Sequence, residues 1–291
     1  MIDTESLSIL DLLLWLGKGT EVGKRLNISQ STVSRKAAAA STAFDLELSR
    51  SNEGWGVVGD PQLLRLERVV HQTRRFLRQK GLRLDADPWL GGALLSTVPA
   101  GKWTLGRFHH LSHHQPLRLL RERILDFWLT ILTDEVKHSD CSDLVCFELG
   151  SVPLTFIVAA DHPLADQANL ALNDLLRYPR LNLASGMLPA FENEVRHRGL
   201  WDTPQSTQYY NEADWEGRTS EEAALLYGHT FTLELNPSFK PLDYNLDLIM
   251  PIALVVHRDM SEHPATEALL KWLRDRLQEK ACDHANLQLA A

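Results

Sequence analysis

Between Glu21 and Lys36 the chain reads EVGKRLNISQSTVSRK, and its second half carries side chains suited to reading nucleic acid. Ser29 fits a helix N-cap, because its hydroxyl oxygen can accept a bond from a free N–H of the first turn. The helix that would follow carries Gln30, Ser31, Thr32, Ser34, Arg35 and Lys36, with Val33 its one clearly apolar residue. A helix so poor in apolar groups shows most of its surface to something wet. Its amide, hydroxyl and guanidinium groups match the donors and acceptors of a DNA major groove. Gln30, Ser31, Ser34 and Arg35 are the candidates for base edges. Ser29 and Lys36 are candidates for phosphates, and Thr32 completes the polar face. The plain alternative is an ordinary surface helix hairpin.

Other constellations carry less chemistry. His109, His110, His113 and His114 form the densest titratable cluster, and pairs at i, i+4 could share a metal on a helix. They fall at the end of an expected strand with no Asp, Glu or Cys close in sequence, so solvated or cleft-edge histidines and no metal are expected. Cys141, Cys146 and Cys282 include no CxxC, and a sparse, odd set fits the reduced thiols of a cytoplasm. A Cys141–Cys146 redox pair would need a lowered thiol pKa that no neighbour supplies. Gly54-Trp55-Gly56-Val57-Val58-Gly59 spells GxGxxG, but SRSNE stands before it where dinucleotide binding needs a buried strand. Turns of a β-wing explain those glycines better. Asp134-Glu135 and Glu221-Glu222 read as solvated carboxylates. No GxSxG, HExxH or P-loop pattern occurs, so neither catalysis nor a cofactor is expected.

Composition bounds the elements that would position these residues. With 291 residues, 44% hydrophobic and 23% charged, the chain is a soluble globular protein of two or three domains. No apolar run approaches the ~20 residues of a membrane helix. Met1–Leu16 holds Asp3, Glu5 and Asp11 without a basic residue, a poor signal peptide, so a cytoplasmic location is expected. The net charge is −8, yet residues 1–80 carry 12 Lys+Arg against 9 Asp+Glu. A mildly basic head on an acidic body keeps DNA contact local.

Ser6–Leu16 reads as a helix, and Leu10, Leu14, Leu26 and Val33 would close a small core with the helix pair and a third helix through Ala37–Ala40. Phe44–Ser49 alternates as a strand and Val57-Val58 can return as its partner, placing Arg50 of the wing on the sugar–phosphate backbone. Asp60-Pro61 starts a long helix to about Gly81. Leu63, Leu66, Val70, Thr73 and Leu77 follow a 3, 4, 3, 4 spacing, the seam of a two-helix coiled coil. Arg65, Arg68, Arg74, Arg75 and Arg78 would line its outside. Two copies paired there would present two recognition helices to duplex DNA. Strands are expected at Leu82–Ala86, Trp103–His110, Ile124–Ile131, Leu154–Ala160, Arg180–Ala184 and Leu248–Val256. Helices are expected at Leu90–Pro99, Pro116–Glu122, Leu172–Leu176, Leu188–Arg198, Glu221–Tyr227 and Ala265–Lys280, an α/β alternation.

Leu26-Asn27-Ile28-Ser29-Gln30-Ser31-Thr32-Val33-Ser34-Arg35 resembles the recognition-helix signature of the LysR-type transcriptional regulators. Val152–Ala165, which ends in His162-Pro163-Leu164-Ala165, is similar to that family's strand and turn, and so is the ending Ala253–Leu277. The resemblance covers the whole chain in order. It implies an α+β multi-domain protein: a winged helix-turn-helix (1–59), a linker and dimerisation helix (60–82) and an α/β periplasmic-binding-protein-like effector domain (83–291). That domain would have two lobes, about 83–161 with 248–281 and about 162–247. The implied partners are double-stranded operator DNA, further copies in a homodimer or homotetramer, and a small-molecule effector, with no membrane. Asp87, Trp89, His110, Ser185 and His229 are the candidate cleft residues.

The chain also departs from the family pattern. Val22-Gly23 stands where the family has an alanine pair. Ala37–Ala40 replaces its Leu-Glu. Asp87-Pro88-Trp89 replaces the Ser/Thr that holds an anionic ligand at a helix N-terminus, and Leu226–Thr230 replaces a Gly-rich turn. A carboxylate there repels an organic acid, which points to a neutral or cationic effector or to none. The rival reading is a small-ligand-binding protein of the periplasmic-binding fold with a degenerate DNA-binding head. An enzyme on this fold would need an acid/base or nucleophile set that the sequence does not offer. A DNA binder that answers to no small molecule is the remaining alternative.

Overall fold

Nine of the ten residues from Leu7 to Leu16 are buried, so the first helix, α1 (Thr4–Leu16), serves as a core and not as a surface element. The computed structural model describes residues 4–51, 54–99, 101–131, 143–182, 185, 189–201, 209–217 and 223–290. Helices α2 (Gly19–Leu26) and α3 (Gln30–Thr42) pack on α1 around Leu10, Leu14, Val22, Val33 and Ala37. Two expectations are corrected here. The recognition segment and the alanine segment form one continuous helix, because no Gly or Pro interrupts it and Val33, Ala37, Ala40 and Ser41 bury one face. Leu26 is 39% exposed. The chain leaves α2 through Asn27 in the left-handed region (φ 54°), which turns that last side chain outward.

Strands β1 (Glu47–Ser51) and β2 (Gly54–Val58) pair antiparallel, from Glu47 opposite Val58 to Ser51 opposite Gly54. The strand begins three residues later than expected, after Asp45 at φ 55° breaks the extended run. The GxGxxG glycines serve this hairpin. A Cβ on Gly59 (φ 127°) would lie 2.8 Å from a Leu46 methyl.

Helix α4 (Gln62–Arg78) begins after Asp60, whose carboxylate accepts the Gln62 N–H at 3.0 Å. Leu64, Arg68, Gln72 and Phe76 point inward. Leu63, Leu66, Val70 and Leu77 are 60–75% exposed and Thr73 is half-buried. The expected outer arginine row is corrected at Arg68, which is 1% exposed because it sits on the inward i, i+4 line, and at Arg75, which turns in to bond the buried Asp126.

The chain forms two compact units: Met1–Asp85 with Pro99–Arg107 and Gln115–Phe127, and Ala86–Val98 with Phe108–His114 and Trp128–Ala291. In sheet order, Glu47–Ser51 lies beside Gly54–Val58; Phe239–Pro241, Thr155–Ala159, Leu225–Gly228 and Arg180–Leu181 make a second sheet; and Gln288–Leu289, Leu144–Pro153, Ile249–His257, Phe127–Ile131, Leu82–Ala86 and Trp103–Leu105 make a third.

The first unit is held by a buried ionic network. Asp11 of α1 accepts from Arg68 Nε at 2.8 Å and from Arg83 Nη1 at 3.1 Å. Arg68 also donates to Glu122 at 3.0 Å. Asp126 accepts from Arg75 Nη2 at 2.7 Å, from Gln72 Nε2 at 3.1 Å and from the Arg83 backbone N–H at 2.8 Å. Trp15 Nε1 donates to Asp85 at 2.6 Å. Arg83 and Asp85 lie on β3 (Leu82–Ala86), which pairs in parallel with β4 (Trp103–Leu105). The expected strand Trp103–His110 is therefore cut to three residues. The helix expected at Pro116–Glu122 is α6 (His114–Arg121).

In the second unit, α5 (Pro88–Leu95) starts at Asp87, and β5 (Phe127–Ile131) enters from the first unit. The sequence gives no hint of β6 (Leu144–Pro153), which pairs antiparallel along β11 (Ile249–His257). β7 (Thr155–Ala159), β8 (Arg180–Leu181), β9 (Leu225–Gly228) and β10 (Phe239–Pro241) build the four-stranded sheet. The helix expected at Glu221–Tyr227 is corrected. Glu221 and Glu222 lie outside the described residues, but Leu225–Gly228 is a strand flanked by β7 and β8. Ala and Leu favour a helix locally, yet Ala224, Leu225 and Leu226 are wholly buried at the sheet, and tertiary packing overrides propensity. Helices α7 (Leu172–Leu175), α8 (Pro189–His197), α9 (Thr230–Leu235) and α10 (Pro264–Asp283) and strand β12 (Gln288–Leu289) complete the unit.

Burial pushes the Asp11 carboxyl up, but the guanidiniums of Arg68, Arg83 and Arg75 outweigh it and hold it below 3.8. Replacing Asp11 by Ala strands two buried guanidiniums and should destabilise the protein by about 3–5 kcal/mol in urea unfolding. The stability that Asp11 adds over an Asp11→Asn variant is present above 3.8 and should shrink as pH falls below it.

Candidate nucleic-acid interface and ligand site

The α2–turn–α3 unit is closed by a tight approach. The Ile28 N–H donates to Gly23 O at 2.9 Å, and a Cβ on Gly23 would lie 2.6 Å from the Ile28 carbonyl oxygen. This contact accounts for glycine at the position where the resembled family has alanine. Ser29 caps α3 by accepting the Thr32 N–H at 3.1 Å, and its hydroxyl lies 2.9 Å from those of Ser31 and Thr32.

Gln30, Ser31, Ser34 and Arg35 are all exposed. Gln30 Nε2 donates to Ser34 Oγ at 3.1 Å, one turn along the same face. Arg35 has no ion-pair partner among the described residues, so its guanidinium faces solvent. Lys36 differs from expectation. It is half-buried and paired to Glu5 at 2.7 Å, which takes its charge away from a phosphate role. Arg50 stays exposed, with its guanidinium 5.6 Å from the centre of the Trp55 ring on the facing strand.

Leu63, Leu66, Val69, Val70 and Leu77 form an apolar stripe on the outer face of α4. An isolated exposed Leu is ordinary, but a stripe at coiled-coil spacing is the form of a partner surface.

The second unit encloses a cavity of about 90 Å³, lined among others by Asp87, Trp89, His110, Trp128, Trp215, Tyr227 and His229. Four of the five candidate cleft residues meet there. Ser185 does not: it is exposed, donates to Glu192 at 2.8 Å and does not line the cavity. Its place in the chain put it near the cleft, but α8, four residues on, draws it away through Glu192.

Asp87 caps α5. Its two oxygens accept the Leu90 N–H at 2.9 Å and the Ile131 N–H at 3.1 Å. Burial pushes this carboxyl up to about 7 against those bonds, so charge repulsion by a fully ionised Asp87 gives way to a half-protonated group. Burial lowers His229 to about 4, leaving a neutral ring. Trp89 packs edge-on against Tyr210 (5.8 Å between centroids) and His229 (6.1 Å).

Of the two expected settings for the histidines, solvated or cleft-edge, the solvated one is corrected for three of them, and His110 and His113 line the cavity. His109, His110 and His113 are all less than 10% exposed, and only His114 faces water. His109 stacks on Tyr209 at 5.0 Å, and His110 bridges to the same residue in an antiparallel pair. His113 meets Trp128 edge-on at 5.2 Å. Among the described residues, no three His, Cys, Asp or Glu side chains gather as a metal site. Cys141 and Asp134-Glu135 lie outside the described residues. Nothing local in the sequence points Trp128, Trp215 and Tyr227 to the cavity, since they come from two separate strands and the π-helical segment Ala213–Gly217, which only folding brings together.

Residues 107–202 match the family described as LysR substrate binding domain. Over 93% of its length the chain is 22% identical to a probable nitrogen assimilation transcriptional activator of Synechococcus elongatus, covering 94% of that protein. Its fold is similar to a full-length OxyR variant from Pseudomonas aeruginosa (TM-score 0.56, 15% identity, 94% of this chain and 98% of that one). It is also similar to full-length CbnR in complex with its target DNA (TM-score 0.54, 13% identity, 94% and 99%).

Because the folded carboxyl of Asp87 holds its proton more tightly than the unfolded one, the stability it adds is complete below 3.8 and is lost as pH rises through about 7. In paired unfolding titrations the wild type should therefore lose stability relative to Asp87→Asn across that interval. A difference that stays flat with pH would contradict the assignment.

Proposed function

We propose that this chain, a member of the LysR-type family, is a sequence-specific DNA-binding transcriptional regulator whose second unit senses a small molecule. The observation that carries the reading is the outer face of α3. Gln30, Ser31, Ser34 and Arg35 face solvent together, while Val33, Ala37 and Ala40 hold the helix to the core. Such a helix can enter a major groove without unfolding anything. Ser29 at its N-terminus and Arg50 on the wing are placed for phosphates. The basic excess of residues 1–80 supplies local attraction in an otherwise acidic protein.

In this reading residues 1–59 bind DNA, 60–82 pair two copies through Leu63, Leu66, Val70, Thr73 and Leu77, and 83–291 form the two-lobed effector domain. The assembly is a homodimer that can form a tetramer, works in the cytoplasm and catalyses nothing. Among the described residues no helix is long and apolar enough to cross a membrane. CbnR, whose fold this chain resembles, is solved in complex with its target DNA, and the polar face of α3 is the surface here that fits such a partner.

Selection from random duplexes should recover an inverted repeat whose half-sites are about one DNA turn apart. Arg35→Ala should weaken binding to the selected site by about 1–3 kcal/mol in fluorescence anisotropy while leaving scrambled DNA nearly unaffected, as expected for a base-reading arginine. An equal loss on both duplexes would reduce Arg35 to a backbone contact. Leu66→Glu should convert the dimer to monomer in sedimentation and carry specific binding down with it.

A further inference from the structure

Four buried polar atoms in the cavity of the second unit have no partner among the described residues: Trp89 Nε1, Trp128 Nε1, and Nδ1 and Nε2 of His229. All three side chains line the cavity. Trp128 is 1% exposed and His229 is 3% exposed, so bulk water does not satisfy them. Leaving a buried polar atom unpaired costs about 1–3 kcal/mol; two indole donors with the one donor and one acceptor of a neutral imidazole mark a place where something else supplies the bonds.

The chemistry of the lining narrows what that is. Among the described residues neither Lys nor Arg lines the cavity, so a carboxylate would find no permanent counter-charge there. Among the described residues Asp87 is the one acidic group in the lining; both its oxygens are taken by backbone N–H groups and it holds its proton below about 7, so it is a poor partner for a cation. Indole nitrogens only donate, so the ligand must accept. The remaining walls are apolar and largely aromatic, among them Leu111, Phe191, Trp215 and Tyr227. The volume of about 90 Å³ admits roughly six waters, or one small ring with a short substituent.

We propose that this cavity binds a small neutral molecule with a flat apolar body and a hydrogen-bond acceptor, such as an aryl ketone, with Trp89 and Trp128 donating to the acceptor and His229 completing the contact. The inference rests on reading the second unit as the ligand-binding part of the regulator. It replaces the expectation of charge repulsion by Asp87 with one of donor placement.

The test uses the full chain and three probes with a common phenyl body: acetophenone, ethylbenzene and benzoate. Binding is followed by ligand-observed NMR and thermal shift at pH 6, where Asp87 holds its proton and benzoate is still an anion. Acetophenone should bind and raise the melting temperature, ethylbenzene should bind about tenfold more weakly for want of an acceptor, and benzoate should not bind. Trp128→Phe keeps an aromatic ring, though a smaller one, and removes the donor; because the extra space serves both probes alike, it should erase most of acetophenone's advantage over ethylbenzene. His229→Phe provides a second variant should the first not fold. Benzoate binding as well as acetophenone, no probe binding at all, or an advantage that survives in both variants would overturn the proposal. DNA affinity is measured separately on probe-free protein, so failure of the ligand class is distinct from failure of the regulator reading.

Discussion

A carboxylate in the wrong place for a small helical head sets the packing of the first unit. Asp11 sits in α1 among leucines and is 1% exposed. An ion so buried is tolerated only when opposite charges and hydrogen bonds replace its water. Arg68 and Arg83 do so from two different elements, and each is satisfied further, Arg68 by Glu122 and Arg83 by the Ile124 carbonyl at 2.9 Å. With Asp126 holding Arg75 and Gln72, the network ties α1, α4 and β3 into one body.

This constraint fixes the rotation of α4. Once Arg68 and Gln72 must face Asp11 and Asp126, Leu64 and Phe76 follow them inward on the same helical line. The opposite stripe of Leu63, Leu66, Val70 and Leu77 is then forced out. Polar specificity inside thus generates the apolar surface outside that a second copy can cover. The same anchoring leaves α3 free. Its inner face is small and apolar, and its outer face bonds to itself, through Gln30 with Ser34 and Ser29 with Ser31 and Thr32, and at Lys36 to Glu5.

The second unit works by different means. Among the described residues neither Lys nor Arg lines its cavity, and the polar groups there are donors and acceptors set within aromatic walls. Asp87 illustrates the contrast. It performs the capping role the sequence implies, yet its burial makes it a poor electrostatic sentinel.

How much of this was legible depended on whether the information was local. The N-cap at Ser29, the polar face of α3, the glycine-rich hairpin, the seam of α4 and the cap at Asp87 are all written in residues a few positions apart, where period and turn chemistry govern. The order of winged head, linker helix and α/β domain followed from those local signals taken together. Tertiary structure alone decided the inward turn of Arg68, the pairing of Lys36 with Glu5 and the conversion of Leu225–Gly228 from helix former to strand. It also decided the meeting of Trp128 and His229 around one cavity. In each case the partner lies far along the chain, and burial against it outweighs anything the neighbouring residues prefer.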